Sequence, residues 1–178
     1  MDNLSRAELI NTLRVARTDS ERNYIALLCA YSHALRAGEV VRLTTANLRD
    51  GRVTVSRLKG SLRTSQPFVR SSEELLDEAG ALPAYLAKLR PGSRLLPVTT
   101  RHLYRLFSRY AAAAGVSSEK RHPHVLKHTR ARLLLAGGAS LPVIREYLGH
   151  RSLASTGEYL RLTEEEVSAA VSAIDSSI

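Results

Sequence analysis

Apolar and polar positions follow a helical period along most of this chain, interrupted once by a short alternating segment. Ser5-Arg6-Ala7-Glu8 has the spacing of a capping box and opens a helix to about Ala16. Thr18-Asp19-Ser20-Glu21 repeats that pattern and opens a longer, mostly apolar helix ending near Arg36. Residues 37–43 read as a short helix turning through Gly38. Asp50-Gly51 marks a turn. Residues 53–56 alternate as a strand, residues 66–70 supply its partner, and Lys59-Gly60-Ser61 forms the tip of a long basic hairpin. A helical stretch begins at Ser72 and is broken near Gly80 and Pro83. Thr99 caps a helix to about Ala114, stopped by Gly115. Residues 124–136 form a helix ended by Gly137-Gly138, and residues 141–148 a short one with Pro142 in its first turn and Gly149 after it. Residues 152–160 continue helically, and Thr163-Glu164-Glu165-Glu166 caps a last helix. The pattern predicts one domain over residues 1–178, mainly α with a small antiparallel β-sheet, and no internal repeat.

Composition narrows the partner. The 178 residues carry 26 Lys and Arg against 17 Asp and Glu, a formal charge of +9 with pI near 10.2. Four of the acids lie beyond Arg161, where there is no Lys or Arg, so residues 1–161 hold 26 basic and 13 acidic groups, or +13. A body so charged points to a polyanion, nucleic acid before an acidic membrane surface. Arg101, Arg105 and Arg109 recur every four residues and form a stripe on one helix face. Cys29 is the single cysteine, which excludes an internal disulfide and a cysteine-rich zinc site. The mostly apolar run 24–35 is too short to span a bilayer, and the polar N-terminus does not resemble a secretory signal. The expectation is a soluble, cytoplasmic, DNA-associated protein with no membrane partner.

Several residues carry candidate chemistry. Tyr159 stands nine residues after His150, which follows Gly149. A phenol has an ordinary pKa near 10, so attack at neutral pH needs neighbouring cations or a base. His124 and Lys127 share a helix face, and Arg36 ends an apolar helical run three residues before Glu39. Taken singly, each has a plainer reading: a half-buried tyrosine, a histidine capping a helix, an arginine paired with Glu39 at a helix end. His122, His124 and His128 could suggest a metal site, but no nearby Asp, Glu or Cys completes it, so the metal expectation is none.

Together, the order Arg36, His124-x-x-Lys127, Gly149-His150 and Tyr159 resembles the catalytic signature of the tyrosine recombinases, the integrase family, from about Ser5 to the C-terminus. The resemblance implies that family's catalytic-domain fold, with Tyr159 as nucleophile forming a 3′-phosphotyrosyl link. It implies that Arg36, oriented by Glu39, grips the scissile phosphate, with His124, Lys127 and His150 beside it. Lys59 on the hairpin tip would protonate the leaving 5′-oxygen, with Arg57 and Arg63 flanking it on DNA. Lys127 stands where the family usually has arginine. Lysine keeps the charge but loses the planar fork, and Arg130, one turn on, is the candidate to compensate. DNA contacts are expected from Arg57, Arg63, Arg101, Arg105, Arg109 and Arg130.

The resemblance also implies double-stranded DNA as substrate, no cofactor, four protomers on two duplexes, and residues 163–178 docking on a neighbouring protomer. The family's N-terminal DNA-clamping domain is not expected within this chain, which would be either a minimal recombinase or the catalytic part of a longer one. The rival expectation is a DNA-binding regulator of the same fold with weakened catalysis, for which Lys127 is the reason.

Overall fold

The fold is taken from a computed structural model that describes residues 3–58 and 62–152. Ser5 accepts a hydrogen bond from the Glu8 amide and Glu8 returns one to the Ser5 amide, so the capping box opens α1 (Arg6–Asp19) as its spacing predicts. Helix α2 (Glu21–Ser32) is the centre of the molecule: every residue from Asn23 to Ser32 is buried. A helix apolar on all sides needs neighbours on all sides, and α1, α4 and α6 pack against it. The remaining helices are α3 (Ala37–Val40), α4 (Glu78–Leu86), α5 (Thr100–Ala113), α6 (His124–Ala136) and α7 (Leu141–Leu148). Strands β1 (Leu48–Arg49), β2 (Arg52–Val55) and β3 (Thr64–Pro67) form an antiparallel sheet in the order β1-β2-β3. Asp50 and Gly51 both have positive φ, as a two-residue turn between twisted antiparallel strands requires. Val53 pairs with Gln66 and Val55 with Thr64, and all four are buried, so this face of the sheet looks inward.

Several boundaries differ from the sequence expectation. Helix α1 runs on to Asp19, and Ser20, not Thr18, caps α2. Helix α2 ends at Ser32 rather than near Arg36, because Ala34 turns left-handed (φ 50°) and the amides of Ala34 and Leu35 bond back to the carbonyls of Tyr31 and Ala30. This is the Schellman closure that glycine usually supplies. The second hairpin strand lies at Thr64–Pro67, earlier than expected. The expected break at Gly80 and Pro83 does not occur: α4 runs through both, since Leu82 and Tyr85 are buried on the main core and packing overrides the proline's local preference. Helices α5, α6 and α7 match their expected spans closely. The helices expected over 152–160 and from Thr163 lie outside the described residues.

Two apolar clusters fill the interior. The larger surrounds α2; the smaller joins Ala34 to Ala131 of α6 and to Ile144 and Leu148 of α7. The polar residues described next lie where these clusters meet.

Candidate active site

Two helix ends deliver two of the candidate residues. After the Ala34 closure the chain reaches Arg36, which becomes the N-cap of α3. Helix α7 closes in the same manner: Gly149 is left-handed (φ 68°), its amide bonds to the Glu146 carbonyl, and the His150 amide bonds to the Arg145 carbonyl. A side chain at Gly149 would be strained by that backbone, and its Cβ would lie 2.8 Å from Arg57 Cγ and 3.0 Å from the Leu62 carbonyl oxygen. The Leu62 amide donates to the Gly149 carbonyl, which ties the β2–β3 hairpin to this corner.

Glu39 organises the cations. Its carboxylate is fully buried and accepts from the amides of Arg36 and Leu58, from the Arg36 guanidinium at 3.2 Å and from the Arg57 guanidinium at 3.2 Å. Burial alone would raise its pKa, but the two amide bonds and the two guanidiniums together hold it below the ordinary carboxylate value. Arg36 keeps 19% of its side chain exposed, so one buried acid orients a guanidinium that still reaches the surface.

Arg57 differs from its expected role. Its side chain is wholly buried, and it donates to Thr64 Oγ1, the Ala34, His33 and Tyr147 carbonyls, and Glu39. It is an internal brace joining α2, α3, β3 and α7, and cannot be a surface DNA contact. The signal was in the sequence: the period-two pattern of Val53 and Val55 continues inward to Arg57.

Lys127 and His150 meet on the other side of the pocket, with Nζ 3.2 Å from Nε2 and both residues buried. Burial, then the charges of Arg36 and Arg57, lower the Lys127 pKa to about 7. Burial, then the Lys127 charge, lowers that of His150 to about 4. His124 opens α6, and its ring lies edge-on to His128, 5.5 Å between centroids. Burial, then His124 and His122, lower the His128 pKa to about 4. Among the described residues no group of three or more His, Cys, Asp or Glu could hold a metal ion.

The other basic residues divide. Arg130 is clamped between Tyr31 and Tyr147, 5.5 Å from each ring, and donates to the Tyr147 hydroxyl. These contacts give it a packing role between α2 and α7. Arg63, Arg101 and Arg105 are exposed. Arg109 is exposed but paired with Asp19 at 2.8 Å, so the α5 stripe is not uniform. Lys59 and Tyr159 lie outside the described residues. No helix among the described residues is long and apolar enough to cross a membrane.

This arrangement gathers cationic and hydrogen-bond-donating groups around one buried acid. Arg36, Lys127 and His150 bring planar-fork, ammonium and imidazole groups to one place, with the nearest acid already satisfied. His33, Gln66, Glu78 and Tyr147 support it from behind, and none of these four was expected from the sequence pattern.

Comparison with known proteins gives the family and the fold. The tyrosine recombinase XerD of Bradyrhizobium diazoefficiens is 31% identical over 194 residues, covering 94% of this chain and 61% of the relative. The crystal structure of XerA recombinase superposes with a TM-score of 0.74 at 26% identity, over 97% of this chain and 64% of that one. A lambda integrase tetramer bound to a Holliday junction shares the fold, with a TM-score of 0.70 at 19% identity over 89% of this chain and 47% of that one. This chain thus spans roughly half to two thirds of the length of these proteins. The model of the phage integrase family matches residues 3–166, and the chain belongs to that family.

Proposed function

We propose that this chain carries out site-specific DNA strand cleavage and rejoining through a 3′-phosphotyrosyl intermediate. The observation that supports the reading is that Arg36, held by buried Glu39, lies close enough to the Lys127–His150 pair to act on both electrostatically. Tyr159 attacks the phosphorus and its phenolic proton passes to solvent, the P–O5′ bond breaks, and the 5′-oxygen leaves with a proton from Lys59, which solvent then restores. Arg36, His124, Lys127 and His150 offset charge on the phosphorane-like transition state, where each preorganised donor is typically worth about 10²–10³ in rate. The phosphodiester's bond energy is kept in the phosphotyrosine, so rejoining by the reverse displacement needs no nucleotide cofactor.

Double-stranded DNA is the substrate on this reading. The exposed Arg63, Arg101 and Arg105 contact its backbone, and the +13 charge of residues 1–161 draws it in. By analogy with the lambda integrase tetramer on a Holliday junction, four protomers assemble on two duplexes, with residues 163–178 docking between neighbours. The test is a suicide DNA substrate whose released strand diffuses away. The parent protein should leave a denaturant-resistant protein–DNA adduct, and Tyr159→Phe should leave none while binding DNA with almost unchanged affinity. An adduct that persists in the phenylalanine variant refutes the nucleophile. No adduct from the parent on a verified cognate site favours a DNA-binding regulator of the same fold.

A further inference from the structure

We infer that His33, Gln66 and Glu78 form a buried hydrogen-bonded relay that positions His150, making Gln66 a positioning residue for strand cleavage. The inference rests on the recombinase reading above only for its kinetic readout. The three side chains come from three elements, the end of α2, strand β3 and the start of α4, and all are buried. They form one line. The Val69 amide donates to Glu78 Oε2 at 3.0 Å, the Glu78 carboxylate lies 2.8 Å from His33 Nε2, and His33 Nδ1 lies 2.7 Å from Gln66 Oε1. Gln66 Nε2 then donates to the Tyr147 carbonyl at 2.6 Å. Tyr147 is in the last turn of α7, three residues before His150, where helix carbonyls have no partner further along the chain. Arg57 donates to the same Tyr147 carbonyl and to that of His33, which joins the relay to the brace beneath Arg36.

The direction of every bond follows from one fixed end. A carbonyl can only accept, so the Gln66 NH2 faces Tyr147 and its oxygen faces His33. His33 Nδ1 must therefore carry a proton and donate. A ring neutral in that tautomer would turn the Nε2 lone pair at the Glu78 carboxylate, so a further proton sits between Nε2 and Glu78. In either placement of that proton the pair is neutral overall, which suits two side chains at 1% and 0% exposure. Each polar heavy atom along this line thereby has a partner, which ties the α7 terminus to one place relative to α2 and β3.

An apolar core would fill this space at less desolvation cost. What a matched polar line adds is a fixed direction for the Tyr147 carbonyl, and through the Gly149 turn a fixed place for the His150 imidazole against Lys127.

The experiment is a double-mutant cycle between Gln66→Met, similar in length but without the amide, and His150→Ala. Single-turnover cleavage is measured at saturating suicide substrate, with DNA affinity and thermal melting followed alongside. Gln66→Met should slow cleavage roughly 10- to 100-fold, the scale of a catalytic group displaced by about an ångström, with DNA affinity unchanged. In the His150→Ala background the same change should cost less than about twofold. An equal loss in both backgrounds, or no loss in either, overturns the inference. A readout independent of cleavage is the nitrogen resonances of the His150 ring in DNA-free protein. They should shift in Gln66→Met, and unmoved resonances overturn the inference too. If Gln66→Met does not fold, His33→Gln, which keeps an amide toward Gln66, is put through the same cycle and must show the same coupling to His150. A parent that forms no adduct refutes the recombinase reading and leaves the resonance test standing.

Discussion

The Lys127 ammonium nitrogen sits 3.2 Å from His150 Nε2 in a pocket where both residues are buried. A hydrogen bond between two nitrogens needs a lone pair on one of them, so the two groups cannot both be fully protonated. Arg36 at the start of α3, Glu39 within it and Arg57 after β2 act electrostatically on both groups, and His128 one residue along α6 interacts with Lys127. An arginine at position 127 would stay charged throughout the physiological range; lysine here titrates near neutrality.

The first prediction concerns protons. A DNA phosphate adds negative charge beside Lys127 and raises its pKa again, so binding of an uncleavable duplex at about pH 8 should take up a proton. Calorimetry in two buffers of different ionisation enthalpy measures this. The uptake should vanish in Lys127→Arg, and its absence in the parent would contradict the assignment. The sign for stability follows from the same shift. Lys127 titrates at about 7 when folded and near 10.4 when unfolded. Between these values the unfolded chain binds more protons, and stability rises with pH by at most about 1.4 kcal/mol per unit from this group. The urea midpoint should therefore rise from about pH 7 to 9 in the parent and rise less in Lys127→Met.

Cleavage gives a second test of the same position. Lys127→Arg should keep or raise the single-turnover rate by restoring a two-pronged donor. Lys127→Ala should lower it roughly 10²-fold or more, the scale of losing one transition-state donor. Alanine cleaving as fast as the parent would remove Lys127 from the active site.

Arg57 and the α5 arginines should separate stability from binding. Arg57→Met strips a buried partner from Glu39 and leaves the Ala34 and His33 carbonyls without a donor, at a cost of about 3–5 kcal/mol in denaturant unfolding. Arg101→Ala and Arg105→Ala should leave unfolding nearly unchanged and weaken DNA binding, each reducing the log–log salt slope by about 0.9. Arg109→Ala should do less, because Asp19 already holds that guanidinium.

Gly149→Ala should lower both stability and cleavage. The left-handed backbone alone costs an alanine about 1–2 kcal/mol, and the added methyl meets Arg57 and the Leu62 carbonyl. Thermal melting and single-turnover cleavage should fall together. A variant that melts like the parent would show that this corner can rearrange.

Deleting residues 163–178 should impair assembly on paired sites more than binding of one protomer to a half-site. Gel-shift stoichiometry with one and two sites distinguishes these. A truncated chain that assembles and recombines as the parent does would rule out the docking role.

Sequence by itself determined the helices whose ends are chemically marked and the order of the candidate residues. The Ser5–Glu8 box, Thr99, Gly115, Gly137-Gly138 and Gly149 each act through bonds within a few residues, so their effect is local and legible. Arg36, Glu39, Lys127 and His150 were legible as a set through spacing and resemblance. Tertiary structure decided what non-local packing controls. Burial of Leu82 and Tyr85 carried α4 through Gly80 and Pro83, and the Ala34 closure, made by a residue that does not announce a helix end, moved Arg36 off α2. Arg57 and Arg130 look on paper like any other basic residues. Only the fold shows one braced by three carbonyls and Glu39 and the other held between Tyr31 and Tyr147. The relay from Glu78 through His33 and Gln66 joins positions up to 81 residues apart. No local pattern encodes that distance, because what selects these residues is the need of one buried polar group for another.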